Sequence, residues 1–248
     1  MSNSKKTSTS DNNIFPNFCE LASNDEKVFN VFKRNPELTA ILEHVTVQEG
    51  YECFLHFKKN KEIVNILSKF NINDVHGNPV IYNYEFGNFS PSTLRYIKIL
   101  SDLSQLQLNN INIVEIGGGY GGQYTVLRQF ATPKSYTFID LPLVLKLQKK
   151  YVEKNKLDDI QVNFYSSDNL PNIDADLVIS NYAFSECITD IQDIYIDRVI
   201  KTSKNGYFIY NNFEGYKHEE FIKILNSKKI KTFDEKPKTG TNNVLLVW

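Results

Sequence analysis

From residue 111 onward the sequence alternates between short β-rich runs and helical runs, and this rhythm constrains the fold more than any other feature. The β-rich runs are residues 111–116, 136–140, 160–165, 175–180 and 206–210, and helical patterns occupy 122–131, 142–154, 189–203 and 216–227. Alternating strand and helix means a parallel sheet with helices on both faces. The end departs from the rhythm. Residues 230–233 and 244–248 read as strands with no helix between them, joined by a loop holding Pro237 and Gly240. A hairpin therefore closes the sheet and adds an antiparallel strand at its edge.

The first strand-to-helix turn reads Val114-Glu115-Ile116-Gly117-Gly118-Gly119-Tyr120-Gly121-Gly122. Glycines let a backbone approach a ligand closely, and the helix start that follows offers free N–H groups. Two ligands compete for such a loop. Gly117, Gly119 and Gly122 satisfy the dinucleotide pattern GxGxxG, with Asp140 at a suitable distance. Gly117, Gly119 and Gly121, led by Glu115, also satisfy ExGxGxG, the S-adenosylmethionine pattern. Three features favour the second. Glu115 is a carboxylate where dehydrogenases usually carry an apolar residue, and S-adenosylmethionine is a cation. The closing hairpin is foreign to the dehydrogenase sheet. No stretch after residue 210 is long enough for a separate substrate domain.

In an open α/β sheet, ligands bind beyond the carboxyl ends of the strands. Asp140, with Leu141 beside it, closes the second strand, where a carboxylate accepts both ribose hydroxyls; the same side chain could instead cap the helix opened by Pro142. Ser166, Ser167 and Asp168 follow the third strand and offer acceptors for an adenine amino group. Arg95, early in a helix that starts at Ser90 and Pro91, is a candidate partner for the cofactor carboxylate.

Charge and cysteine content narrow the partners. The 28 basic and 29 acidic residues leave a formal charge of −1, which argues against a broad nucleic-acid or anionic-membrane footprint. The three cysteines, Cys19, Cys53 and Cys187, form neither a disulfide framework nor a metal pair and read as buried thiols of a reducing compartment. The polar N-terminus lacks the apolar core of a signal peptide, and nowhere do 18 apolar residues run together, so the expected location is cytoplasmic. Residues 1–13 are expected to be a disordered tail, residues 14–89 a cap of short helices, and residues 90–248 the catalytic domain.

The stretches at 90–103 (SPSTLRYIKILSDL), 112–124 (NIVEIGGGYGGQY), 136–152 (YTFIDLPLVLKLQKKYV) and 180–186 (SNYAFSE) resemble the sugar O-methyltransferase family, a group of class I S-adenosylmethionine-dependent enzymes associated with surface polysaccharides. The resemblance implies a Rossmann-like seven-stranded sheet in the order 3-2-1-4-5-7-6 with strand 7 antiparallel. It also implies methyl transfer to a hydroxyl of a sugar, free, nucleotide-linked or in a glycan. Another small-molecule acceptor, an NAD(P) oxidoreductase and a non-catalytic cofactor-binding subunit are the alternatives.

A sugar hydroxyl is a poor nucleophile, so a general base should stand beyond strands 4 and 5. Glu186 is the first candidate and His218 the second. Asn181 and Tyr182 are expected to line the pocket, and His76 is a weaker possibility. The aromatic residues Tyr82, Tyr84, Phe86 and Phe89 are candidates for stacking on a sugar, or for core filling. The positions where some O-methyltransferases carry Mg²⁺-binding carboxylates are Asn181, Asn211 and Asn212, which are neutral, so no catalytic metal is expected.

Overall fold

The computed structural model describes residues 6–248. Among them, five short α-helices come first, α1 (Ile14–Asn24), α2 (Glu26–Phe29), α3 (Pro36–Thr39), α4 (Val47–Phe57) and α5 (Lys61–Asn65), with 3-10 turns at Phe32–Arg34 and Leu67–Asp74. A small hairpin of β1 (Tyr82–Tyr84) and β2 (Gly87–Phe89) leads into α6 (Pro91–Leu103). The alternating part then runs β3 (Asn112–Ile116), α7 (Gly122–Leu127), β4 (Ser135–Ile139), α8 (Pro142–Lys154), β5 (Gln161–Tyr165), β6 (Leu177–Asn181), α9 (Thr189–Tyr195), β7 (Asn205–Tyr210), α10 (His218–Ile224), β8 (Lys231–Asp234) and β9 (Val244–Val247). Helix α9 continues as a π turn over Ile196–Ile200.

Strands β3–β9 form one sheet in the order β5-β4-β3-β6-β7-β9-β8. Strands β3 to β7 pair in parallel, and β9 lies antiparallel to both β7 and β8. Counted from the first strand of this sheet, the order is 3-2-1-4-5-7-6 with the last strand reversed. That is the Rossmann-like methyltransferase sheet, as expected.

Strand period explains why both faces are covered. Ile113, Tyr136, Phe138, Ile179 and Tyr207 face the core shared with α6, α7, α8 and the N-terminal helices. Their strand neighbours Val114, Ile139, Val178 and Phe208 face a second core with α9 and α10. Helix α6 starts as its sequence predicts: the Ser90 side chain accepts from the Thr93 amide and Pro91 takes the first turn. All but one of its residues are buried, because α4 packs on one side of it and α7 on another.

Two expectations differ from what the structure shows. Within the expected disordered tail, residues 1–5 lie outside the described residues, but residues 6–13 are held by backbone hydrogen bonds to residues 186 and 188. The cap is not wholly helical, since β1 and β2 interrupt it. Of the two readings of the aromatic residues there, core filling is what forms for Tyr84, Phe86 and Phe89, while Tyr82 is exposed: Phe86 stacks on Phe54 at 3.6 Å and on Tyr84 at 5.1 Å. Among the described residues, no helix is long and apolar enough to cross a membrane.

Candidate active site

A cleft of about 800 Å³ opens at the carboxyl ends of the parallel strands, walled by the sheet on one side and by the N-terminal residues on the other. Its floor is the glycine loop after β3. Gly117 has φ +76°, a conformation that costs an L-residue strain, and a Cβ there would stand 1.9 Å from the Cβ of Ala183. The backbone of the loop after β3 thus packs directly against the Ala183 methyl in the loop after β6. Gly119 lies against the cap less tightly, where a Cβ would meet the end of the Leu42 side chain at 2.9 Å. Both line the cleft. Gly121 does not: it faces Phe138 and Tyr151 and serves as the residue before α7. The structure thus places Gly121 at the turn into α7 and not among the residues lining the cleft.

Two carboxyls flank this floor. Glu115 is buried and accepts from the Tyr136 hydroxyl at 2.8 Å. Burial pushes its pKa up to about 7; the Tyr136 hydrogen bond opposes the rise and the Asp140 charge adds to it. Asp140 is pushed up to about 7 as well, again by burial, against hydrogen bonds from Leu141, Gln148 and the Gly118 and Gly119 amides. Its Oδ1 accepts from the Leu141 amide at 2.8 Å and its Oδ2 from Gln148 Nε2 at 2.7 Å. The capping alternative for Asp140 is not what forms. Leu141 takes the cap position, and α8 begins without a side-chain cap.

Leu141, Ser167, Asp168 and Asn181 line the same cleft. Asn181 carries a buried Oδ1 with no hydrogen-bond partner, an acceptor that such a site normally fills with a ligand or water. Arg95 reaches the cleft from α6 and is largely buried. Its Nη2 donates to the Leu42 carbonyl at 3.2 Å. Among the described residues no carboxylate pairs with it at ion-pair distance.

The two candidate bases separate. Glu186 lines the cleft; its Oε1 accepts from Asn211 Nδ2 at 2.8 Å and its Oε2 from Thr9 Oγ1 at 3.1 Å. His218 does not line it. It sits in a neighbouring shallow depression with Asn212, whose Oδ1 accepts from the His218 amide at 2.8 Å, and its Nδ1 lies 3.3 Å from Glu219. The physical reason is that α10 starts only at His218, after the chain has turned away from the end of β7. His76 is also outside, beside Phe29 and Tyr151.

Sequence reasoning passed over several residues of the cleft. His44 lines it, and its pKa is lowered, chiefly by burial and then by the Arg95 charge. Thr239, Gly240 and Asn243 bring the β8–β9 loop to the rim. That loop is tied down by Glu235, a buried carboxylate that accepts from the Tyr182 hydroxyl, from the Thr239 amide at 3.1 Å and from Asn243 Nδ2 at 2.9 Å. Tyr182 itself has φ +72°, a genuine outlier for a bulky residue and of the kind that concentrates at functional sites. His44 carries no signal in the sequence, whereas the acidic pair Asp234-Glu235 stands out at the start of the hairpin loop that holds Pro237. Residues 7–13 also wall the cleft.

No family model and no curated protein matches this chain. Among solved structures, it is similar to a SAM-dependent methyltransferase from Aquifex aeolicus, with 16% identity over 59% of this chain and 85% of that one and a TM-score of 0.42. It is also similar to an rRNA methylase from Streptococcus thermophilus (10% identity, 60% of this chain, 92% of that one, TM-score 0.45). A third is the pyocyanin biosynthetic protein PhzM (10% identity, 63% and 56%, TM-score 0.45). The strand order and polarity, not these distant likenesses, carry the fold assignment.

Proposed function

We propose that this protein is an S-adenosylmethionine-dependent O-methyltransferase, cytoplasmic, acting on a hydroxyl of a sugar that is free, nucleotide-linked or part of a glycan. The observation that carries the cofactor is the pairing of a glycine floor with two raised carboxyls, Glu115 and Asp140, and the unpartnered Asn181 Oδ1. The two carboxyls gain from a nearby positive charge, and Asn181 Oδ1 still lacks a donor. S-adenosylmethionine carries both, so the residues present fit it. A dinucleotide offers a pyrophosphate instead, which two carboxyls beside the glycine loop disfavour.

When bound, S-adenosylmethionine supplies a methyl group activated by its sulfonium, so the protein's task is mainly orientation. In this reading Asp140 accepts the ribose hydroxyls, Ser167 and Asp168 meet the adenine, and Arg95 pairs with the methionine carboxylate. Glu186 takes the proton from the acceptor hydroxyl, with its two oxygens held by Asn211 and Thr9. The cap residues Leu42 and His44 help to exclude water. The sugar rests on the sequence resemblance described above. No metal takes part in this reading.

Titration with S-adenosylmethionine, S-adenosylhomocysteine and NAD tests the cofactor. Micromolar binding of the first two with none of NAD is expected, and tight NAD binding alone overturns the proposal. A methyl-transfer screen over nucleotide sugars, free sugars and glycans, read by mass, tests the acceptor; transfer only to phenols or other small molecules would remove the sugar and keep the enzyme.

A further inference from the structure

The N-terminal segment crosses the cleft and pairs with the loop after β6. Ser8 and Cys187 face each other as an antiparallel bridge. The Thr9 amide donates to the Glu186 carbonyl at 3.1 Å and the Ile188 amide donates to the Thr7 carbonyl at 3.0 Å. Thr9 Oγ1 adds a bond to the Glu186 carboxylate. Each end of the segment is anchored differently. On the α1 side, Asn12 Oδ1 accepts from the amides of Ile14 and Phe15, both at 3.0 Å. Asn13, at φ +63°, forms the joint; asparagine tolerates this left-handed conformation better than most residues. On the far side, among the described residues, three bonds to 186–188 hold it.

Nothing apolar locks the segment down. Residues 7–13 read Thr-Ser-Thr-Ser-Asp-Asn-Asn, and their internal order comes from Asp11, whose Oδ2 accepts from the Thr7 amide at 2.9 Å and hydroxyl at 3.0 Å. Such a composition cannot bury apolar surface to stay in place. Yet the segment walls the cleft that also contains Glu115, Gly117 and Asp140. A ligand lying on those residues shares its cleft with the segment.

We propose that residues 7–13 are a strap that closes over the cofactor, hinged at Asn13 and latched on Cys187, and that the latch must open for cofactor exchange. The proposal rests on the cofactor reading given above. It assigns the latch a small set of polar bonds because exchange has to occur in every turnover, and it makes Thr9 the residue through which closure reaches Glu186.

The geometry supplies its own test. In an antiparallel pair flanked by its bonds, as Ser8 and Cys187 are, Cα atoms lie about 4.5 Å apart with side chains on the same side, within the range a disulfide spans. Ser8→Cys should therefore form a disulfide with the native Cys187 under mild oxidation, read by mass after digestion. Cys19 and Cys53, both fully buried, should stay free. Release of bound S-adenosylhomocysteine from the oxidised protein should slow at least tenfold and recover with reductant. The complementary variant, Thr9→Pro, removes the amide that bonds Glu186 and should speed release several-fold.

Failure of the disulfide to form in the folded protein overturns the latch, and so does equal release from the oxidised and reduced forms. If the reduced protein takes up no S-adenosylhomocysteine at all, it is the cofactor reading that has failed, and the strap falls with it.

Discussion

The Tyr182 hydroxyl donates to the buried carboxylate of Glu235, so the residue that follows β6 is fastened to the loop between β8 and β9. Glu235 also gathers Thr239 and Asn243, and both of these line the cleft. One carboxylate therefore holds a rim of the site together. Glu235→Ala leaves these partly exposed donors without their shared acceptor, which typically costs about 1–3 kcal/mol. Tyr182→Phe removes one donor and should cost about 1–2 kcal/mol. Urea unfolding measures both, and limited proteolysis should cut the 235–243 loop of Glu235→Ala first. Equal stability of the two variants would show that the network does not act as a unit.

Gly117 and Gly121 separate two reasons for a glycine. Both have positive φ, but a Cβ on Gly117 would overlap Ala183 at 1.9 Å, while one on Gly121 meets nothing nearer than 3.7 Å. Gly121→Ala should cost only strain, about 1–2 kcal/mol, and leave S-adenosylhomocysteine binding nearly unchanged. Gly117→Ala must push apart the loops after β3 and β6. Loss of binding by tenfold or more is expected, measured by calorimetry on protein that still unfolds cooperatively. Similar affinities for the two variants would place the ligand away from the β3 loop.

The sheet was legible because its signals are local. Period-2 apolar runs, Pro142 opening α8 and Ser90-Pro91 opening α6 each depend on a few neighbouring residues, and each formed where expected. The glycine floor, Asp140, Asp168 and Asn181 were legible for the same reason, since strand ends converge in this fold whatever the loops do. What depended on long-range packing was not. His44 enters the cleft only because the cap folds back on α6, and Glu235 meets Tyr182 across 53 residues of chain. The polar composition of residues 7–13 argued correctly that they have no core of their own; it gave no sign that two backbone bonds to residues 186 and 188 would hold them.

Placement decides between the candidate bases. Glu186 lines the cleft and His218 lies in the depression beside it. Glu186→Gln keeps the size and the acceptor for Asn211 but cannot take a proton. It should bind S-adenosylhomocysteine normally and lose 10²–10⁴-fold in kcat, the usual contribution of a general base. His218→Asn should retain activity within about threefold, since no proton of the acceptor reaches it. Single-turnover methyl transfer under saturating cofactor distinguishes them. The reverse pattern would move the base to α10.

Glu115 makes the pH dependence predictable. Burial holds its carboxyl up to about 7 in the folded chain, against an ordinary value of 4.5. Between those values the folded protein keeps a proton that the unfolded chain has lost. The stability from this group is therefore complete below about pH 4.5, declines as pH rises, and changes no further above about pH 7. Glu115→Gln does not titrate and still offers Tyr136 an acceptor. Relative to the native chain the variant should gain roughly 1–3 kcal/mol as pH rises across that window and nothing beyond it. A cationic ligand favours the ionised carboxylate, so the affinity of the native chain for S-adenosylmethionine should increase with pH up to about 7, more steeply than that of Glu115→Gln. Urea unfolding and calorimetry at pH 5, 6, 7 and 8 measure both trends. A constant stability difference across the series would mean that Glu115 is already ionised in the free protein, and the cleft would then offer its cofactor a permanent charge.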